Sequence, residues 1–124
     1  MGVRIVISVR ERRLAAELND SRSAAELVAA LPHTVRMSRW GDEYYGSLPL
    51  EISADDTARE AVEIGEIAYW PPGKALCIFF GPTPASVDER PRAASPVVPL
   101  GRITDGVEAL KELGSSIEAD IALA

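Results

Sequence analysis

Ile64-Gly65-Glu66-Ile67-Ala68-Tyr69-Trp70-Pro71-Pro72-Gly73-Lys74-Ala75-Leu76-Cys77-Ile78-Phe79-Phe80-Gly81-Pro82-Thr83-Pro84 holds the longest apolar run of the chain, four of its nine prolines and four of its seven aromatics. Glu66–Trp70 and Ala75–Phe80 read as two strands joined by Pro71-Pro72-Gly73-Lys74. Proline suits the first corner of a tight turn, and the glycine is expected to supply a positive φ. In the second strand Ala75, Cys77 and Phe79 point one way and Leu76, Ile78 and Phe80 the other. Both faces are apolar, so the strand is expected to be covered twice, by a barrel interior on one side and a helix on the other.

Outward from this hairpin, short strands recur on both sides. Val3, Ile5, Ile7 and Val9 alternate with Arg4, Ser8 and Arg10, the period of a half-buried strand, and Leu14, Ala16 and Leu18 resume it after a turn. Asn19-Asp20-Ser21 ends this hairpin with helix-capping side chains. Ser23 and Glu26 have capping-box spacing ahead of Leu27, Val28 and Leu31, and Pro32 stops the helix. Thr34–Trp40 and Tyr44–Leu48 read as a strand pair around Gly41-Asp42-Glu43, continued by Leu50-Glu51-Ile52. The stretch to Glu63 has room for one helical turn.

Beyond Gly81 the chain reads as a long surface loop to Pro96, followed by a proline-interrupted strand, Val97–Ile103. A second short helix is predicted at Val107–Leu113, ended by Gly114, and a last strand alternates through Ile117, Ala119, Ile121 and Leu123. The count is about eight strands and two helices, and pairing of the terminal strands would leave no open edge. The fold class that follows is mainly β, a closed eight-stranded antiparallel barrel with two short capping helices. Residues 1–124 read as one domain.

Composition narrows the functional classes. A formal net charge of −6 disfavours a nucleic-acid partner, because an acidic surface repels phosphates. No apolar run approaches the roughly 20 residues of a membrane helix, and no charged-then-apolar leader opens the chain, so a cytoplasmic protein without a membrane partner is expected. The one cysteine, Cys77, sits in an apolar strand, where a thiol behaves as a small buried hydrophobe. The one histidine, His33, lacks carboxylates at ligand spacing, so no metal site and no cofactor are expected. Glu43 and Glu66 are the acids considered for a carboxylate pair, which requires the fold to bring them together. No Gly-x-x-x-x-Gly-Lys-Ser/Thr phosphate loop occurs.

Trp40-Gly41-Asp42-Glu43-Tyr44-Tyr45 and the opening stretch, above all Tyr69-Trp70-Pro71-Pro72-Gly73-Lys74-Ala75, resemble the small prokaryotic cyclophilin-like proteins. Ala94–Val98, Gly101-Arg102-Ile103 and Gly106–Leu110 extend the resemblance over nearly the whole chain. It implies the cyclophilin-like barrel. True cyclophilins isomerise X–Pro bonds with an arginine beside an apolar proline pocket, and carry Phe-His-Arg and Gln-Gly-Gly-Asp motifs. Neither motif occurs here, and the chain has no glutamine.

Two functional expectations result. The first is a binding module for a peptide or small ligand, with Arg39, Trp40, Glu43, Tyr45, Tyr69, Trp70 and Lys74 as candidate site residues. Aromatics grouped near two turns offer gripping surface, and Glu43 and Lys74 offer charge; the ordinary alternative is that the rings only pack. The second is a divergent peptidyl-prolyl isomerase in which Arg39 replaces the missing arginine, against the plain reading of Arg36 and Arg39 as surface residues of a strand. The sequence leaves the choice between monomer and homo-oligomer open.

Overall fold

A computed structural model describes residues 2–124. In chain order it comprises β1 (Val3–Val9), β2 (Arg12–Leu18), α1 (Arg22–Ala29), β3 (His33–Arg39), β4 (Glu43–Ser47), β5 (Arg59–Ala61), β6 (Glu66–Trp70), β7 (Ala75–Phe79), β8 (Arg92–Asp105) and β9 (Ser116–Leu123). Two 3₁₀ segments, Pro71–Gly73 and Val107–Glu112, complete it. The strand order is β2-β1-β9-β3-β4-β7-β6-β8, and β8 pairs back onto β2 to close an eight-stranded antiparallel barrel. The first and last strands are neighbours in the ring, with Ile7 opposite Ile121. β5 is a ninth strand outside the ring, paired among the described residues with β8 alone.

Alternation along each strand fills the barrel. Ile5, Ile7, Leu14, Leu18, Val35, Met37, Tyr44, Leu76, Ile78 and Phe80 belong to one interior cluster. Tyr44 and Phe80 stack at 5.4 Å between ring centroids. Ala24 and Leu27 of α1 enter this cluster at one end of the barrel, and Leu110 of the second 3₁₀ segment enters at the other.

The second apolar face of β7 is real, but its cover is not a helix. Ala75, Cys77 and Phe79 pack with Ala68 under Val62, Ala93 and Val97. These come from the chain beside β5 and from the start of β8. β8 therefore serves two sheets: its later residues pair with β6 and β2, while Arg92 and Val97 pair with Ala61 and Arg59. An extra residue in β8 between the partners of Ile67 and Ala68 shifts the register there. Ordinary alternation buries consecutive Val97 and Val98 on opposite faces, and the bulge after them lets Leu100 and Ile103, three residues apart, enter the same interior cluster.

Several local expectations are corrected. The cap comes, as expected, from the Asn19-Asp20-Ser21 stretch, Ser21 Oγ accepting from Ala24 N–H at 3.1 Å, but the capping box does not form. Ser23 instead donates to Ser53 O, and Glu26 accepts from Ser53 N–H at 2.7 Å, so the supposed capping box ties down a loop. The segment expected to hold a helical turn forms β5. Leu50-Glu51-Ile52 lies outside any strand, and Val107–Glu112 is 3₁₀ rather than α. At the turn between β6 and β7 the left-handed residue is Lys74, at φ 48°, not Gly73. Gly73 is needed for space: a Cβ there would lie 2.8 Å from the Trp70 ring. Among the described residues no helix is long and apolar enough to cross a membrane.

Candidate functional site

The β3–β4 hairpin turns through Gly41 and Asp42, with Trp40 N–H donating to Glu43 O at 2.8 Å and Glu43 N–H to Trp40 O at 3.2 Å. Gly41 sits at φ 61°, a conformation that glycine adopts without steric cost. This pairing sets Trp40 and Glu43 opposite each other, hence on one face of the sheet. Because Tyr44 points into the barrel, Glu43 and Tyr45 point out of it. Across β4–β7, Glu43 is opposite Phe79 and Tyr45 opposite Cys77. One strand further, Trp70 is opposite Ala75 and packs against the outer cluster.

A cleft of about 290 Å³ lies on this outer face, lined by Trp40, Glu43, Tyr45, Trp70, Ala93, Ala94 and Val97. The barrel wall supplies the acid and the rings; the start of β8 supplies the small apolar side chains. Trp70 is fixed by its indole Nε1–H, which donates to Ser95 Oγ at 2.6 Å.

Glu43 is the unusual group. It is only 5% exposed, and among the described residues its Oε1 has no hydrogen-bond partner. Burial pushes its pKa up to about 7, opposed by hydrogen bonding from the Cys77 thiol. A buried carboxyl without a cation is stable chiefly in its neutral form, since desolvation penalises the charge. Cys77 is itself raised well above the ordinary thiol value, first by burial and then by the nearby Glu43 charge. It is therefore a protonated thiol at neutral pH and a poor nucleophile.

Of the seven residues named from sequence, the fold brings four together: Trp40, Glu43, Tyr45 and Trp70 line the cleft. Arg39 lies at the end of the barrel. It donates to Gly41 O (2.9 Å), Leu113 O (2.9 Å), Lys111 O (3.3 Å) and Asp42 Oδ1 (2.8 Å), with its guanidinium 5.0 Å above the Phe80 ring. Its donors are engaged in holding the second 3₁₀ segment to the hairpin. Tyr69 points into the barrel and is fully buried. Lys74 lies 3.5 Å from Glu51 and does not line the cleft. Glu66 pairs with Arg59 at 2.7 Å and lines a different cleft, so it does not converge with Glu43. Among the described residues no cluster of three or more His, Cys, Asp and Glu side chains is arranged to hold a metal ion.

Sequence reasoning passed over Ala93, Ala94 and Val97. They fell in or beside a proline-rich stretch read as loop, and small side chains give no chemical signal. A buried acid on a strand's outer face is likewise invisible until the covering segment is known.

A family model described as "Cyclophilin-like" matches residues 2–121. Among solved structures, that of a hypothetical protein from Archaeoglobus fulgidus superposes with a TM-score of 0.83 at 33% identity, covering 99% of this chain and 95% of that one. No curated protein matches the chain.

Proposed function

The chain belongs to the cyclophilin-like family, and we propose that it acts as a binding module that takes a small ligand, or one side chain of a peptide, in the cleft on the outer face of its barrel. The observation that carries this reading is the unpartnered carboxyl oxygen of Glu43, a buried residue that lines the cleft together with Trp40, Tyr45 and Trp70. Burying such a group without a partner costs free energy, on the order of 1–3 kcal/mol by mutational data. A ligand with a polar head and an apolar body supplies the missing partner. The cleft volume is near the lower end of the range for small-molecule sites, about 300–1,000 Å³.

The isomerase alternative has less support. The arginine suggested for that chemistry is tied to three carbonyls and a carboxylate away from the cleft. The test is a fragment library followed through the indole N–H resonances of the two tryptophans. Saturable shifts of both Trp40 and Trp70 are expected. A library that moves neither overturns the reading.

A further inference from the structure

We infer that the ligand of this cleft is an organic cation, a primary or methylated amine with a short apolar body, whose ammonium head meets Glu43 and whose body lies along Trp70 and the small side chains of β8. The inference rests on the reading of the cleft as a ligand site and adds the chemical class. Three observations converge on it. The polar side chain buried at the cleft is an acid with a free oxygen. The three largest lining residues are Trp40, Tyr45 and Trp70, whose ring faces attract cations through their quadrupole, tryptophan most strongly. None of the lining residues is itself a cation, and the two basic candidates nearby in sequence are engaged elsewhere, Arg39 with Asp42 and Lys74 with Glu51.

A net charge of −6 adds a general field favouring positive ligands. Ala93, Ala94 and Val97 leave room for methyl or methylene groups and offer no hydrogen bond from their side chains.

The charge logic also fixes a pH signature. The titratable groups facing Glu43 are Tyr45 on its own strand and Cys77 on β7; the side chains contributed by β8 carry no charge. A cation binds the ionised carboxylate, so its affinity rises with pH through the Glu43 transition near 7. A neutral hydrogen-bond acceptor needs the protonated acid, and its affinity falls over the same range.

The experiment titrates the intact protein with benzylamine, benzyltrimethylammonium, benzyl alcohol and benzoate, following the two indole N–H resonances from pH 5.5 to 8.5. At pH 8 the two cations are expected to bind at least about tenfold more tightly than benzyl alcohol, with benzoate weakest. Their affinity should fall about tenfold at pH 5.5, and by a similar factor in Glu43→Gln at pH 8. The comparison among probes on the unmodified protein decides the matter even if that variant folds poorly. Equal or tighter binding of benzyl alcohol or benzoate overturns the cation assignment while leaving the cleft a ligand site. If none of the four probes binds, the cation assignment also fails; the fragment library then decides whether the cleft binds anything.

Discussion

Trp70 Nε1 donates to Ser95 Oγ at 2.6 Å, joining the last residue of β6 to the part of β8 that covers the barrel's outer face. The bond holds a cleft wall to its roof. Ser95→Ala removes the acceptor and leaves the indole N–H to find water at a half-buried position. A loss of about 1 kcal/mol is expected in urea denaturation. The Trp70 indole resonance should also broaden or move while that of Trp40 stays in place.

The second prediction concerns acid–base behaviour. Glu43 has an ordinary value of 4.5 and a folded value of about 7. Between these two the folded state binds more protons than the unfolded state, so stability falls as pH rises through that window. The full effect is on the order of 3 kcal/mol, at about 1.4 kcal/mol per unit. Glu43→Gln removes this contribution. Urea titrations from pH 4 to 8 should show a shallower decline in the variant and a variant at least as stable as the wild type at pH 8. A wild-type stability that climbs from pH 5 to 7 while the variant's stays flat would refute the assignment.

Arg39 should behave as a structural clamp. Arg39→Ala strands the carbonyls of Gly41, Lys111 and Leu113 and unpairs Asp42. Hydrogen bonds to charged groups contribute roughly 1.5–3 kcal/mol, and a loss of at least that size is expected. Arg39→Lys should restore little of it, because an ammonium cannot reproduce the planar fork that reaches all four acceptors. Thermal and urea melts of the three proteins check this.

At the β6–β7 turn, Gly73→Ala places a methyl group 2.8 Å from the Trp70 ring, so the indole must shift. Overpacking of this kind costs roughly 1–3 kcal/mol. The specific readout is ligand affinity and near-ultraviolet circular dichroism. Both should change, since the displaced ring borders the cleft.

Cys77 should resist thiol reagents in the native protein at pH 8, being 1% exposed and held protonated by burial and by Glu43. Labelling should become rapid in denaturant. The native labelling rate then reports opening of the β5–β8 cover, because Val62, Ala93 and Val97 lie over the thiol.

The barrel was legible because its strands alternate: Val3–Val9, Leu14–Leu18 and Ile117–Leu123 each carry the period of two that a half-buried sheet imposes. The two-sided burial of Ala75–Phe80 was legible for the same reason. Its cover was not, because β8 begins in a proline-rich stretch that masks a strand. Such prolines are tolerated because the early part of β8 pairs on one side only, with β5, and because Pro99 falls beside the bulge. The aromatic cluster was visible in sequence, and the β3–β4 hairpin does bring Trp40, Glu43 and Tyr45 onto one face. The inward turn of Tyr69 follows from its being one residue from Trp70 on the same strand. The engagement of Arg39 depends on carbonyls more than seventy residues away, which no local pattern encodes.

The alternation of β4 means that the cleft and the core are written in the same few letters. Glu43 and Tyr45 belong to the cleft; Tyr44 and Gly46 belong to the interior. Slipping the strand by one residue would drive the carboxyl into the barrel and expel the tyrosine that stacks on Phe80. The cleft is therefore tied to spacing as much as to residue identity. Exchanging the residues at 43 and 45 would alter the cleft and leave the core in place, whereas a single insertion between them would disrupt both the cleft and the packing behind it.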